Sequence, residues 1–154
     1  MNTLAVMAWN IQFFSEEDGR QQAREWLRAL PPPKRAAAIA AIEFVLTDLG
    51  PEVCKTEYGK HLGEGLFEFR IRHDEDVIRS KVGQEARGKG GGPVLLRIFC
   101  HAYGERIVLL LGGYDKGAAP SDRRQQREIE TARKRLRSFK LRRTRNQTGR
   151  RRRG

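Results

Sequence analysis

Two cysteines in 154 residues, Cys54 and Cys100, are too few for a disulfide framework. They form no C-x-x-C pair, and with His61, His73 and His101 they make no metal-ligand spacing. The reading is two buried thiols in a reducing compartment, with no metal and no cofactor. Long apolar runs are missing too, and nothing approaches the ~20 residues that a membrane span needs. Residues 1–14 lack a positive n-region and a small-residue cleavage site, so the expected location is the cytoplasm. Acids are missing from the end of the chain. From Lys140 to Gly154 there are eight Lys or Arg residues, no acid and one aliphatic, Leu141. Such a segment cannot bury enough apolar area to offset its ordering entropy, and residues 140–154 are expected to be a disordered basic tail.

What is present is positive charge. The 31 Lys and Arg residues outnumber 19 acids, for a net charge of +12. Eight of those units lie in the tail and only four in residues 1–139, which read as a single domain. A basic tail holds any polyanion, here expected to be RNA, through phosphate contacts that carry no chemistry. Function has to be sought in the other 139 residues.

Residues 4–14 read as a first strand, with Met7, Trp9, Ile11 and Phe13 on one face at period two. Ser15, followed by Glu16, Glu17 and Asp18, reads as a capped helix start, and that helix ends at the prolines 31–33. A second helix is expected from about Lys34 to Leu49, with Ile39, Ile42, Leu46 and Leu49 on one face and Gly50-Pro51 as its stop. Then the period changes. Residues 66–72 alternate strictly, 94–101 form the next strand, and 106–111 are apolar on both faces as in a central strand. Residues 122–139 are helical in pattern, with Ile129, Ala132, Leu136 and Phe139 inward. The glycine-rich stretch 73–92 reads as a long flexible loop inside the domain. The expected fold is α+β: an N-terminal strand, a two-helix hairpin, a three-stranded antiparallel meander and a C-terminal helix. One sheet face packs on the helix pair, and the other is expected to be partly open and lined by arginines.

Within the loop, Gly83 to Gly90 (GQEARGKG) nearly spells a phosphate-binding loop. Gly90 stands where a magnesium-binding hydroxyl belongs, and no buried strand leads in, so nucleotide binding is set aside. Arg70, Arg72 and Arg97 are more informative. Three like charges on one side of neighbouring strands repel unless an anion lies between them. Glu68 offers a structural ion pair instead, whereas phosphate oxygens would be forked by the guanidinium groups. Lys89 in the loop, with Arg142 and Arg143 in the tail, adds candidate RNA contacts. Tyr114, Asp115 and Lys116 follow the central strand past Gly112-Gly113, a place where loops present site residues. His101, at a strand end, is a candidate acid or base near neutral pH, though a lone histidine is as readily structural.

The second helix leading into LGEGLFEFRIR, then LLRIF, RIVLLLGGYDK and REIETARKRL, resembles the RelE/HigB superfamily of bacterial toxin–antitoxin toxins. The likeness is to its phage-derived branch, and it covers roughly residues 21–139 without the loop. It implies a ribosome-dependent mRNA endonuclease in which a ribose 2′-hydroxyl attacks its own phosphate without a metal. It also implies a cognate antitoxin as partner, often a helix-turn-helix protein. By position, the resemblance assigns catalytic roles to Arg70, Arg97 and Lys116. The family's histidine is replaced by Leu111 and its first lysine by Asp115, which leaves Tyr114 or His101 as the candidate proton-transfer group.

Two other readings stay open. One is a non-catalytic nucleic-acid-binding protein on the same scaffold, which the loss of the histidine favours. The other is a gyrase-poisoning relative that shares the fold without RNase chemistry.

Overall fold

The structure, a computed structural model, describes residues 7–73 and 94–153, and the side chains of 7–72 and 94–149. Strand β1 (Asn10–Phe13) is followed by helices α1 (Gln22–Ala29) and α2 (Pro32–Ala41). Strands β2 (Gly59–Gly63), β3 (Leu66–His73), β4 (Val94–Tyr103) and β5 (Ile107–Asp115) come next, and a long helix α3 (Asp122–Arg153) ends the chain. Residues 74–93, which hold nearly all of the stretch expected as a loop with Lys89 and the GQEARGKG motif, lie outside the described residues.

The fold is α+β, but its sheet has five strands in the order β1-β5-β4-β3-β2. The meander therefore has four strands rather than the expected three, and β1 closes the far side by running parallel to β5. The extra strand, GKHLG, carries one aliphatic residue and lies at the sheet edge, so no alternation betrays it. Its turn into β3 holds three successive residues at positive φ, Gly63, Glu64 and Gly65.

The helix pair also departs from expectation in detail. Ser15 caps no helix. Residues 16–20 form a turn in which the Asp18 carboxylate accepts the Arg20 amide at 3.0 Å, and α1 begins only at Gln22. The prolines both break and start: Leu30 is extended, and Pro32 and Pro33 occupy the first turn of α2, where a missing N–H costs nothing. Beyond Ala41 the helix widens into a π-type segment, Ile42–Leu46, before Thr47–Leu49. The buried face of α2 is made by Ala37, Ala38 and Ala41, which let it lie close to the sheet, while Ile39 turns outward. Gly50 ends the run at φ +54°, with the Trp9 ring so near that a Cβ would stand 2.4 Å from it.

Two cores form on the two sides of the sheet. Val108 and Leu110 of β5 join Phe67, Phe69, Ile71, Leu96 and Ile98 beneath the helix pair. Leu109 and Leu111 turn the other way and join Phe99, Tyr114, Ile129, Ala132 and Leu136 beneath α3. The second face, expected to be partly open, is thus covered along its middle by α3. That helix does not stop at Phe139. It continues through residues for which the sequence predicts disorder, as far as Arg153. Side-chain anchors accompany the continuation: Lys140 donates to the Glu64 carbonyl at 3.0 Å, and Arg142 to the Ser15 carbonyl at 2.8 Å. No helix among the described residues is long and apolar enough to cross a membrane.

Candidate anion-binding site

Strand register assembles the charged cluster. Arg70 of β3 stands directly opposite Arg97 of β4, and Arg97 opposite Tyr114 of β5. Because side chains two apart share a face, Glu68 and Arg72 lie in line with Arg70 on the α3 side. An extra residue in β5 opposite Phe99/Cys100 makes this possible. The bulge lets both Leu109 and Tyr114 face α3 although their numbers differ in parity. The glycines at the bulge are needed for space. A Cβ on Gly113 would stand 2.5 Å from the Trp26 ring, and one on Gly112 2.7 Å from the Arg135 guanidinium.

The cluster is not the open, arginine-lined surface that alternation predicts. Arg97 is 1% exposed and Glu68 0%. Glu68 Oε2 accepts from Arg70 Nε at 2.9 Å and stands 3.9 Å from Arg97 Nε. Arg97 also donates to the Leu96 carbonyl at 3.1 Å. The ion pair weighed from sequence is therefore present. Among the described residues one carboxylate serves these two guanidinium groups, and Arg72 stands beyond them, exposed. Burial pulls the Arg97 pKa down, the Glu68 carboxylate opposes this, and Arg70 and Arg72 pull it further down. Arg70, with its side chain 24% exposed, is the member of the pair that reaches solvent.

Tyr114 lies beneath the first turns of α3. Its ring stacks on Phe99 with centroids 6.1 Å apart, and the Arg124 guanidinium stands 5.9 Å from the ring centroid. Arg124 is itself held by Glu128 at 2.9 Å. The Tyr114 hydroxyl is buried and has no hydrogen-bond partner among the described residues; the same holds for Glu68 Oε1 and Arg97 Nε. Burial first, and then the nearby Glu68 carboxylate, raise the Tyr114 pKa above its ordinary value. At neutral pH this phenol is an O–H donor rather than a base. Arg124 is the residue that sequence reasoning missed. It lay in a charged helix whose cations were read as solvated, and only the docking of α3 brings it to Tyr114.

The other expected residues separate. Lys116 follows β5 and is half-buried. Its neighbour Asp115 faces the helix pair, where it takes the Lys34 ammonium at 2.5 Å. His101 is four residues beyond Arg97 on β4, about 13 Å along the strand. It donates from Nδ1 to the Gly65 carbonyl at 2.8 Å and packs beside Tyr103 and Phe139. Burial depresses its pKa, the Gly65 carbonyl opposes that, and Lys140 and Arg143 add to the depression. Arg142 and Arg143 lie with it at that far end, over the rings of Phe14 and Tyr103. Leu111, where the resemblance leads one to seek a histidine, is fully buried in the core beneath α3. Among the described residues no three of His, Cys, Asp and Glu gather as metal ligands.

Residues 25–81 match the family model described as Phage derived protein Gp49-like. The match runs from α1 through β3, and so includes Glu68, Arg70 and Arg72 but not β4, β5 or α3. No curated protein matches the chain.

Proposed function

We propose that the protein is the toxin of a toxin–antitoxin pair and acts on RNA, cutting mRNA on translating ribosomes without a metal or other cofactor. The observation that carries this is the pairing of Arg70 with Arg97 across β3 and β4 over the carboxylate of Glu68. Among the described residues two guanidinium groups share that one acid, which leaves an excess of fixed positive charge where Arg70 meets solvent. The phage-derived family whose model matches residues 25–81 agrees with the branch that the sequence resembles.

In this reading Arg70, with exposed Arg72 beside it, takes the scissile phosphate. Arg97 acts from behind: too buried to fork onto a phosphate, it holds Glu68 and adds its charge to the field. Lys116 lies at the edge where the strand gives way to loop. The ribose 2′-hydroxyl gives up its proton to water, its oxygen bonds to the adjacent phosphorus, and the bond from phosphorus to the 5′-oxygen breaks. The products are a 2′,3′-cyclic phosphate and a 5′-hydroxyl that takes up a proton. The Tyr114 hydroxyl, neutral at working pH and as buried as Arg97, supports the cluster from behind rather than meeting the phosphate, and His101 belongs to a different part of the sheet. A cognate antitoxin, in this class often a helix-turn-helix protein, is the expected neutralising partner.

The test is induction in a bacterial host with primer-extension mapping of mRNA ends. Wild type is expected to arrest growth and yield new ends within translated frames, and Arg70→Lys, which keeps a cation beside Glu68 but loses the guanidinium fork, to lose both while remaining folded. If both proteins are equally harmless, the enzyme reading fails. A second reading, a non-catalytic RNA-binding protein, is favoured by the depth of Arg97 and by Leu111 in the core. It requires salt-steep RNA binding with no new ends.

A further inference from the structure

At the other end of the same sheet face, β1, β4 and α3 enclose a cleft of about 310 Å³ that the proposed chemistry does not use. Tyr103, which lines it, is six residues from Arg97 on β4, roughly 20 Å away at the rise of a strand. The volume falls at the lower end of the ~300–1,000 Å³ typical of ligand pockets, which suits one small planar ligand rather than a docked protein.

The lining combines two chemistries that seldom meet by accident. Aromatic rings form the walls: Phe14 on one side, and Tyr103 and Phe139 edge-on to each other at 4.8 Å on the other. Guanidinium groups stand over those rings, Arg142 at 4.9 Å from the Phe14 centroid and Arg143 at 4.7 Å from that of Tyr103. Arg142 is fixed by its bond to the Ser15 carbonyl at 2.8 Å, yet its buried Nε has no acceptor among the described residues. At the rim stand two amides, Gln12 and Asn146. The Gln12 oxygen accepts from the Tyr103 hydroxyl, which leaves the amide N–H groups to donate into the cleft.

We propose that this cleft is a nucleotide-binding pocket that takes one base of a single-stranded RNA together with its phosphate. A flat π-system meets the aromatic walls and the Arg143 plane, stacking that every base accommodates whatever its sequence. The phosphate is forked by Arg142 and Arg143, and the amides meet the edge of the base. An acidic peptide would use the arginines but leave the ring walls and the amides without partners. The inference extends the RNA reading but rests on other residues, and it stands or falls independently of cleavage at Arg70.

The experiment titrates the ¹⁵N-labelled full-length chain, as wild type and as Arg70→Ala, with adenosine 5′-monophosphate and separately with inorganic phosphate. Saturable shifts are expected at Tyr103, Phe139 and Arg142 to Asn146 in both proteins, with phosphate at least fivefold weaker. Arg143→Ser and Tyr103→Leu should each weaken binding of the nucleotide fivefold or more. Arg145→Ser, at an exposed arginine outside the cleft, should stay within twofold. Equal affinity for phosphate, equal weakening in Arg145→Ser, shifts gathered at Arg70 and Tyr114, or no saturation by ~10 mM would each overturn the proposal. Failure of the cleavage reading leaves all these shifts in place.

Discussion

Glu68 meets Arg97 diagonally across the β3–β4 ladder, its Oε2 3.9 Å from the arginine Nε, with both side chains closed off from solvent. A guanidinium at that depth stays charged, so the carboxylate is its counter-ion and not an ornament of the surface. Glu68→Gln keeps the shape and removes the charge. It should destabilise the fold by about 3–5 kcal/mol, the usual cost of stranding a buried ion. Urea denaturation measures this, and a destabilisation under ~1 kcal/mol would mean that the ion pair contributes nothing. In the same variant sulfate should raise the melting temperature more than it does in wild type, because an anion can enter beside Arg70.

Gly113 sits under the Trp26 ring of α1, so that a Cβ would stand 2.5 Å from it and 3.0 Å from the Arg97 carbonyl. Neither a packed indole nor a strand carbonyl yields easily. Gly113→Ala is expected to cost about 1–3 kcal/mol by overpacking, and to disturb the bulge that aims Tyr114 at the site. Thermal unfolding and the mRNA-end assay should therefore fall together. A variant that melts like wild type would show that the indole is free to move aside.

Much of this architecture was legible because period and burial agree. Phe67, Phe69 and Ile71 alternate and lie in the core under the helices, and Ile129, Ala132 and Leu136 recur at helical spacing and lie in the core under α3. Strand β2 was not legible, since an edge strand needs only backbone partners and GKHLG has no apolar face to show. The site was half legible. Alternation put Glu68, Arg70 and Arg72 on one face with Arg97 beside them on the next strand, but it does not say which layer covers that face. Only the packing of α3 buries Arg97, brings Arg124 to Tyr114 and carries Arg142 and Arg143 to Phe14 and Tyr103. The same helix continues through residues 140–154, for which composition predicts disorder. Apolar area is scarce there, and the anchors are guanidinium and ammonium groups on carbonyls and rings.

His101 supplies a pH dependence of definite sign. Its pKa in the folded chain is depressed, mainly by burial, below the ordinary histidine value near 6.5. The unfolded chain therefore takes up a proton first as the pH falls. The stability that the neutral ring contributes is complete above ~6.5 and is lost as the pH drops through the depressed folded value. Melting temperatures between pH 8 and pH 5 should fall on the acid side, and His101→Gln should flatten that part of the profile. An unchanged profile in the variant would assign the acid sensitivity to other groups.

Deleting residues 140–154 removes eight positive charges and, with them, the anchors Lys140 and Arg142. Two consequences should separate cleanly. Every phosphate that the shortened chain no longer neutralises lowers the slope of log affinity against log salt by about 0.7 for a single strand. RNA binding should therefore become both weaker and less salt-sensitive. Chemistry at Arg70 should survive, because β3, β4 and the first turns of α3 are retained, and mRNA ends should appear at the same positions at higher expression. Abolished cleavage with unchanged folding would instead place the last turns of α3 within the catalytic machinery. An unaltered salt slope would show that these arginines serve the fold alone, spent on Phe14, Tyr103 and the backbone rather than on phosphate.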